Sequence, residues 1–216
     1  MGRPAKFDRG QAVEMAMQEI WRNGYRACST KSLAEKLGIT RSSFYNAFGS
    51  REELFREVMT LYAQHCPDAI LMTQAHVDGK VLQLLTDTFR DVCHARAIDP
   101  EAKGCMAVNS VAELIGTDPD IGEEIRQMAA GGADHLERLL QVAVENGEIT
   151  DNGDLRAKAL AVQNLMIGLQ IMAKFIRTEE ELWSSASATL KGLGLYAEPS
   201  GQLNDGQGVT AAKRNE

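Results

Sequence analysis

Two groups of residues in this chain are of types, and at spacings, that chemistry uses. The first is Thr40, Arg41, Ser42, Ser43, Tyr45 and Asn46, a run of short hydrogen-bonding side chains with one guanidinium and one phenol. Phe44 and Phe48 lie four apart on the same stretch and point inward on a helix, which leaves the polar run as its outer face. Such a face suits the base edges and phosphates of a nucleic-acid groove. The second group is sulfur and imidazole. Cys28, Cys66, Cys93 and Cys105 are scattered without CxxC spacing, which reads as reduced thiols rather than a disulfide framework. Cys93-His94 and His65-Cys66 are adjacent pairs, and neighbours on a helix point about 100° apart. Neither pair converges on an ion, so no metal site and no cofactor is expected. Cys105 opens a predicted helix, where the dipole favours a thiolate. It also shares a stripe with Val108, Ala112 and Ile115, so an inert buried thiol competes with a reactive one. The chain has no glycine-rich phosphate loop, no HExxH and no nucleophile elbow, and His76 and His135 are isolated. A helical enzyme is therefore a remote reading, and no enzymatic activity is expected.

The elements that must carry these residues are all helical. Strand alternation and hairpin dipeptides are missing, and aromatics make up only 6% of the chain. About nine helices are expected. The first covers 8–23, with Ala12, Ala16, Ile20 and Trp21 inward and Asn23-Gly24 as its stop. Two short helices follow at 29–37 and 41–48; Gly38 permits the turn between them, Ile39 plugs it and Thr40 caps the second. Ser50 and Glu53 form a capping box opening a helix that Pro67 stops near residue 66. Further helices are expected at 81–97 and 105–115, then from Asp118-Pro119 to 146, from Asp154 to 176, and from a second capping box at Thr178 to 193. Residues 199–216 read as a disordered tail.

Charge divides the chain unevenly. The whole of its 216 residues carries −7, which taken alone argues against a polyanion partner. Residues 1–48, however, hold eight basic and four acidic side chains, +4, and the remainder carries −11. A basic head on an acidic body points to a polyanion-binding end. No secretory signal and no run of 18 apolar residues is present, so a cytoplasmic protein with no membrane partner is expected.

The segment Gly24-Tyr25, then Leu33-Ala34-x-x-Leu37-Gly38-Ile39-Thr40, then Phe44-Tyr45-Asn46-Ala47-Phe48-Gly49-Ser50-Arg51-Glu52-Glu53-Leu54-Phe55, resembles the DNA-binding domain of the TetR/AcrR family. The resemblance covers about residues 6–66, with the helix-turn-helix at 29–48. It implies an all-α, homodimeric regulator, usually a repressor that a small-molecule effector releases from a palindromic double-stranded operator. By position, Arg41 to Ser43 would meet bases or phosphates, and Tyr45 the backbone. Arg51 would pair with a phosphate, and Ser29 and Lys31 would touch the opposite strand. Arg3 and Lys6 would form an arm in the minor groove. Cys28 stands where the family often has threonine, and Ala47 where it often has histidine or tyrosine.

The resemblance also implies a body, about 67–197, that holds an effector pocket and pairs the subunits, with the tail at 198–216. Met106, Asn109 and Glu113 share a stripe and are candidate pocket residues; alternatively Glu113 reaches solvent. Some relatives with the same Gly-Cys pair use the cysteine to sense electrophiles or oxidants, which makes a redox regulator acting through Cys105 the alternative function. The helix from Asp154 is apolar nearly all round and needs two partners. Leu165, Leu169 and Met172, with Trp183 and Leu190 of the last helix, are the expected dimer contacts.

Overall fold

The computed structural model describes residues 8–73, 80–151 and 153–198. Regular structure among them is helical throughout: α1 (Arg9–Asn23), α2 (Thr30–Lys36), α3 (Arg41–Phe48), α4 (Arg51–His65), a 3-10 turn (Pro67–Ala69), α5 (Ile70–Thr73), α6 (Val81–Ala97), α7 (Met106–Leu114), α8 (Ile121–Glu145), α9 (Leu155–Met172) and α10 (Glu179–Gly192). Among the described residues, nine helices have seven residues or more, and α5 adds a single four-residue turn. Arg3, Lys6 and the tail from residue 199 lie outside the described residues.

Helix starts follow the polar caps. The side chains of Asp8, Ser29, Thr40, Ser50 and Thr178 each accept a hydrogen bond from an amide in the first turn they precede. Those amides have no intrahelical partner otherwise. Two starts differ from expectation. α8 begins at Ile121 and not at Pro119, because Asp118 Oδ1 accepts from the amides of both Asp120 and Ile121 and holds Pro119 in the preceding turn. Asp154 makes no side-chain cap; its carboxylate lies 3.4 Å from Lys158 Nζ instead.

Burial sorts the helices into two cores. The first joins α1–α4 through Ala16, Leu33, Phe44, Leu54 and Phe55, and it continues into Cys105, Met106, Leu114, Ile121 and Ile125. The head is therefore sealed by α7 and the start of α8, although both are distant in sequence. The second core lies among α6, α8, α9 and α10, around Phe89, Leu136, Val162, Leu169, Leu182 and Leu190. α7 thus belongs to the head's core on one face while α8 and α9 pack against it.

Candidate functional sites

α3 is a two-faced helix. Phe44 and Phe48 are buried, with ring centroids 5.2 Å apart, and Thr40, Arg41, Ser42, Ser43, Tyr45 and Asn46 are all exposed. The Thr40 hydroxyl accepts from the Ser43 amide and lies 2.9 Å from both the Ser42 and Ser43 hydroxyls, which pre-orders the first turn. Arg41 has no ion-pair partner among the described residues, whereas Arg9 is bound in a fork to Glu57 and Lys36 to Glu19. Ser29 and Lys31 are exposed at the start of α2. Arg51 lies differently from the other head cations. Its guanidinium sits 4.1 Å from the Tyr25 ring centroid, reaches the Cys28 carbonyl and pairs with Glu52. Cys28 is buried against the Glu19 carbonyl, so it supplies neither a cap nor an exposed donor.

The head is held to the body at the turn between α1 and α2. Glu113, on α7, accepts from the backbone amides of Tyr25 (3.0 Å) and Arg26 (2.7 Å). Gly24 has φ +85°, which favours glycine, and a Cβ there would crowd the Glu113 carboxylate at 3.0 Å. Tyr25 is buried against Phe55 and donates to Glu52. Arg56 forks onto Glu124 of α8, and Arg22 onto Glu101.

A cavity of about 350 Å³ lies between α4, α7, α8 and α9. Its walls are mainly apolar, from Met59, Val108, Val111, Met128, Leu136, Val162, Met166 and Ile167. Its polar edges are Tyr62, Cys66, Asp68, Cys105, His135 and Gln163. Gln163 already donates to the Ala129 carbonyl. His135 Nε2 is buried without a hydrogen-bond partner among the described residues. Burial, with Arg138 nearby, holds its imidazole below the ordinary histidine value, in the neutral form at pH 7. The stripe expected to line a pocket faces elsewhere. Met106 fills the head's core, Asn109 donates to the Lys103 carbonyl, and Glu113 holds the α1–α2 turn. The cavity instead takes Ala107, Val108 and Val111, the opposite face of α7. Both faces are rich in apolar residues, so periodicity does not distinguish them.

Sequence spacing also misses a cluster at the cavity's edge. Cys66 Sγ, Cys105 Sγ and an Asp68 carboxylate oxygen lie within 4.8 Å of one another. Tyr62 donates to Cys105 Sγ (3.3 Å) and accepts from the Met106 amide and from Arg96. Arg96 is only 4% exposed; its guanidinium bonds Gln170 and approaches Cys66 Sγ at 3.8 Å. The polar contact with Cys66 draws the Cys105 thiol down to about 7, against burial and the Asp68 charge, with the hydrogen bond from Tyr62 assisting. Cys66 moves up correspondingly; burial first, with the Glu19 and Glu113 charges, raises Cys28 to about 11, and burial first, with the Glu179 charge, raises Cys93 to about 12. Cys93 points into the second core, while His94 points outward to Glu179, so that pair does not converge.

Comparison with known proteins decides the family. Residues 12–58 match the family described as bacterial regulatory proteins, tetR family, and residues 81–188, half of the chain, match the tetracyclin repressor-like C-terminal domain. The chain belongs to the TetR family. It is similar to the uncharacterized HTH-type transcriptional regulator YezE of Bacillus subtilis, 26% identical over 191 residues, covering 88% of this chain and 98% of that one. It is also similar to the HTH-type transcriptional repressor ComR of Escherichia coli, 28% identical over 195 residues, covering 88% and 90% respectively. Among solved structures, a cysteine mutant of the TetR-family regulator CifR, complexed with 26-bp double-strand operator DNA, superposes with TM-score 0.73 at 25% identity, over 88% of this chain and 98% of that one.

One surface of this TetR-family chain remains apolar. Leu160, Ile171 and Phe175 on or just beyond α9 are exposed, Phe175 by 69%. They fall on one helical stripe with Ile167 and Gly168, interrupted by the exposed Asn164. Two of the expected pairing residues are not on it: Leu169 is 1% and Leu190 0% exposed, both inside their own chain's core. Leu165, Met172 and Trp183 are half-buried against that core. α8 and α10 cover one apolar flank of α9, leaving the Leu160–Phe175 flank outward. No helix among the described residues is long and apolar enough to cross a membrane.

Proposed function

We propose that this chain is a cytoplasmic, homodimeric transcriptional repressor that leaves a palindromic operator when a small apolar molecule occupies its cavity. The observation that carries this reading is α3: a rigid helix presenting Arg41, three hydroxyls, a phenol and an amide outward from a buried aromatic pair. On it, Arg41 to Ser43 read base edges or phosphates and Tyr45 and Asn46 the backbone. Ser29 and Lys31 touch the second strand, and Arg3 and Lys6 extend into the minor groove. The functional units are a head, 6–66, and a body, 67–197. Two heads are needed because one helix-turn-helix reads too few base pairs for specificity. The Leu160–Ile171–Phe175 stripe joins the subunits through an isologous contact. Sedimentation should give twice the 23.6 kDa chain mass, and a monomer at operator-binding concentrations contradicts it.

The effector is apolar with a single hydrogen-bonding group placed for His135 Nε2, the orphaned atom on the cavity wall. Its binding shifts α7 and α8, which hold the head through Glu113 and through Glu124 on Arg56, toward a state that misfits the operator. Anisotropy titration on DNA from the upstream region, between 50 and 200 mM salt, tests the reading. Affinity should fall steeply with salt, as phosphate contacts require. Arg41→Ala should weaken operator binding by roughly ten- to a hundredfold, the loss of about 1–3 kcal/mol that one base-edge contact supplies. Salt-insensitive or sequence-blind binding contradicts it.

A thiol-responsive regulator acting through Cys105 on the same scaffold is the second reading. It is favoured by one observation: Cys105 has a second thiol, Cys66, as its neighbour.

A further inference from the structure

Cys66 and Cys105 are separated by 39 positions in sequence, and each sits at a helix end. Cys66 is the C-cap of α4 (φ −80°, ψ 129°) and Cys105 the N-cap of α7 (φ −97°, ψ 127°). Their sulfurs lie within 4.8 Å, and a disulfide needs about 2 Å. Both backbones are extended junctions and not helix interiors, so closing the gap breaks no helical hydrogen-bond ladder. Both thiols line the 350 Å³ cavity, the space from which a small solute meets Cys105, and Cys66 alone also lines a second cavity of about 360 Å³ beside α1.

We propose that Cys66 and Cys105 are a modification site, at which a hydroperoxide closes a reversible intramolecular disulfide between the end of α4 and the start of α7. This rests on the thiol-responsive reading and deepens it. Cys105 is the attacking sulfur: it accepts a hydrogen bond from Tyr62 at a helix N-terminus, and its contacts with Cys66 and Tyr62 hold its thiol below the usual cysteine range. Its thiolate attacks the terminal oxygen of the hydroperoxide, the O–O bond breaks, and the alkoxide leaves and is protonated to the alcohol. Cys105 is then a sulfenic acid. The Cys66 thiol passes its proton to Asp68, its hydrogen-bond acceptor. The resulting Cys66 thiolate attacks the Cys105 sulfur, and hydroxide leaves and takes up that proton as water. Two thiols are oxidised by two electrons and the peroxide is reduced to alcohol and water.

Arg96 favours this chemistry over capture of a divalent cation by the same Cys66, Asp68 and Cys105 atoms. Its buried guanidinium, 3.8 Å from Cys66 Sγ and without an ion-pair partner among the described residues, stabilises thiolate and repels a metal. The bond ties α4, which rises from the turn after α3, to α7, whose Glu113 holds the α1–α2 turn. Both attachments of the head are therefore shifted together, and the oxidised protein should release its operator.

The test treats the intact protein with one equivalent of cumene hydroperoxide, blocks remaining thiols and maps peptides without reduction. The expected result is a peptide linking Cys66 to Cys105, a fall from four free thiols per chain to two, at least a tenfold loss of operator affinity, and recovery of all three with dithiothreitol. Cys66→Ser should stop at a sulfenic acid on Cys105 that dimedone traps, and Cys105→Ser should yield no linked peptide and no sulfenic acid. Four free thiols after treatment, a linkage using Cys28 or Cys93, an unchanged operator affinity once the linked peptide has formed, or a stoichiometric zinc ion that protects the pair would each overturn the proposal. Failure of the reduced protein to bind DNA would instead count against the repressor reading, since the linked peptide is read out independently.

Discussion

Phe44→Ala abolishes operator binding and destabilises the head by about 3–5 kcal/mol, the usual cost of deleting a buried phenylalanine with incomplete collapse of the cavity left behind. Phe44 is fully buried, its ring centroid 5.2 Å from Phe48 and 5.9 Å from Tyr45. It is the one side chain that joins both aromatic neighbours on α3, so its loss loosens the inner face against which the outer face is ordered. Total domain stability is typically 5–15 kcal/mol, so a loss of this size leaves the head marginal. The second core, around Phe89, Leu136 and Leu169, contains no residue of α1–α4 and keeps its packing. A thermal melt followed by circular dichroism should therefore separate into an early partial transition and a later one, where the parent shows a single event. Operator affinity within threefold of the parent would show that α3 does not need this contact to present Arg41 and Tyr45.

The helix-turn-helix was legible because every signal in it agrees. Thr40 and Ser50 are polar caps bonded as expected, Ser29 adds a third, and Phe44 and Phe48 share a face by spacing alone. Local chemistry decides such features, and local chemistry is what a sequence displays. The body was less legible for a physical reason. α7 carries apolar residues on both faces, and α9 nearly all round, so periodicity marks them as doubly buried without saying which neighbour each face meets. Packing against α8 and α10 put Leu169 inward and Leu160 outward, and put Val108, not Met106, on the cavity. The Cys66–Cys105 pair had no sequence signal at all, because 38 intervening residues, including all of α6, separate its halves. Arg51 shows a milder form of the same limit: its position at the start of α4 was readable, but its stack on the Tyr25 ring was not.

Glu113 ties α7, which walls the cavity, to the α1–α2 turn of the head, and Glu113→Ala should weaken their coupling. Its carboxylate accepts two backbone amides, and hydrogen bonds to a charged group contribute about 1.5–3 kcal/mol each, net of exchange with water. Two of the other braces, Arg56–Glu124 and Arg22–Glu101, are exposed ion pairs between long side chains, which salt screens and side-chain entropy weakens; the others, Tyr62 to Cys105 and Met106 and Trp21 to the Gly104 carbonyl, hold α4 and α1 and not the α1–α2 turn. Glu113 differs because its partners are backbone groups already fixed by the Gly24 turn, so only one side chain is ordered to make the contact. Removing it frees the α1–α2 turn while leaving α3 and its outer face intact. Operator affinity should fall by about tenfold, on the order of 1.4 kcal/mol, because two heads must now find a spacing that was previously imposed. The change in operator affinity on effector binding should shrink as well, since a coupling free energy cannot exceed the differential contact that transmits it. Glu113→Gln retains one acceptor oxygen and should fall between the two. Hydrogen exchange gives a readout that does not depend on DNA: the Tyr25 and Arg26 amides should be protected in the parent and exchange faster in Glu113→Ala, with the Phe44 and Phe48 amides unchanged. If those two amides keep their protection, or if the alanine variant responds to effector as fully as the parent, coupling runs through α4 and the Arg56–Glu124 pair instead.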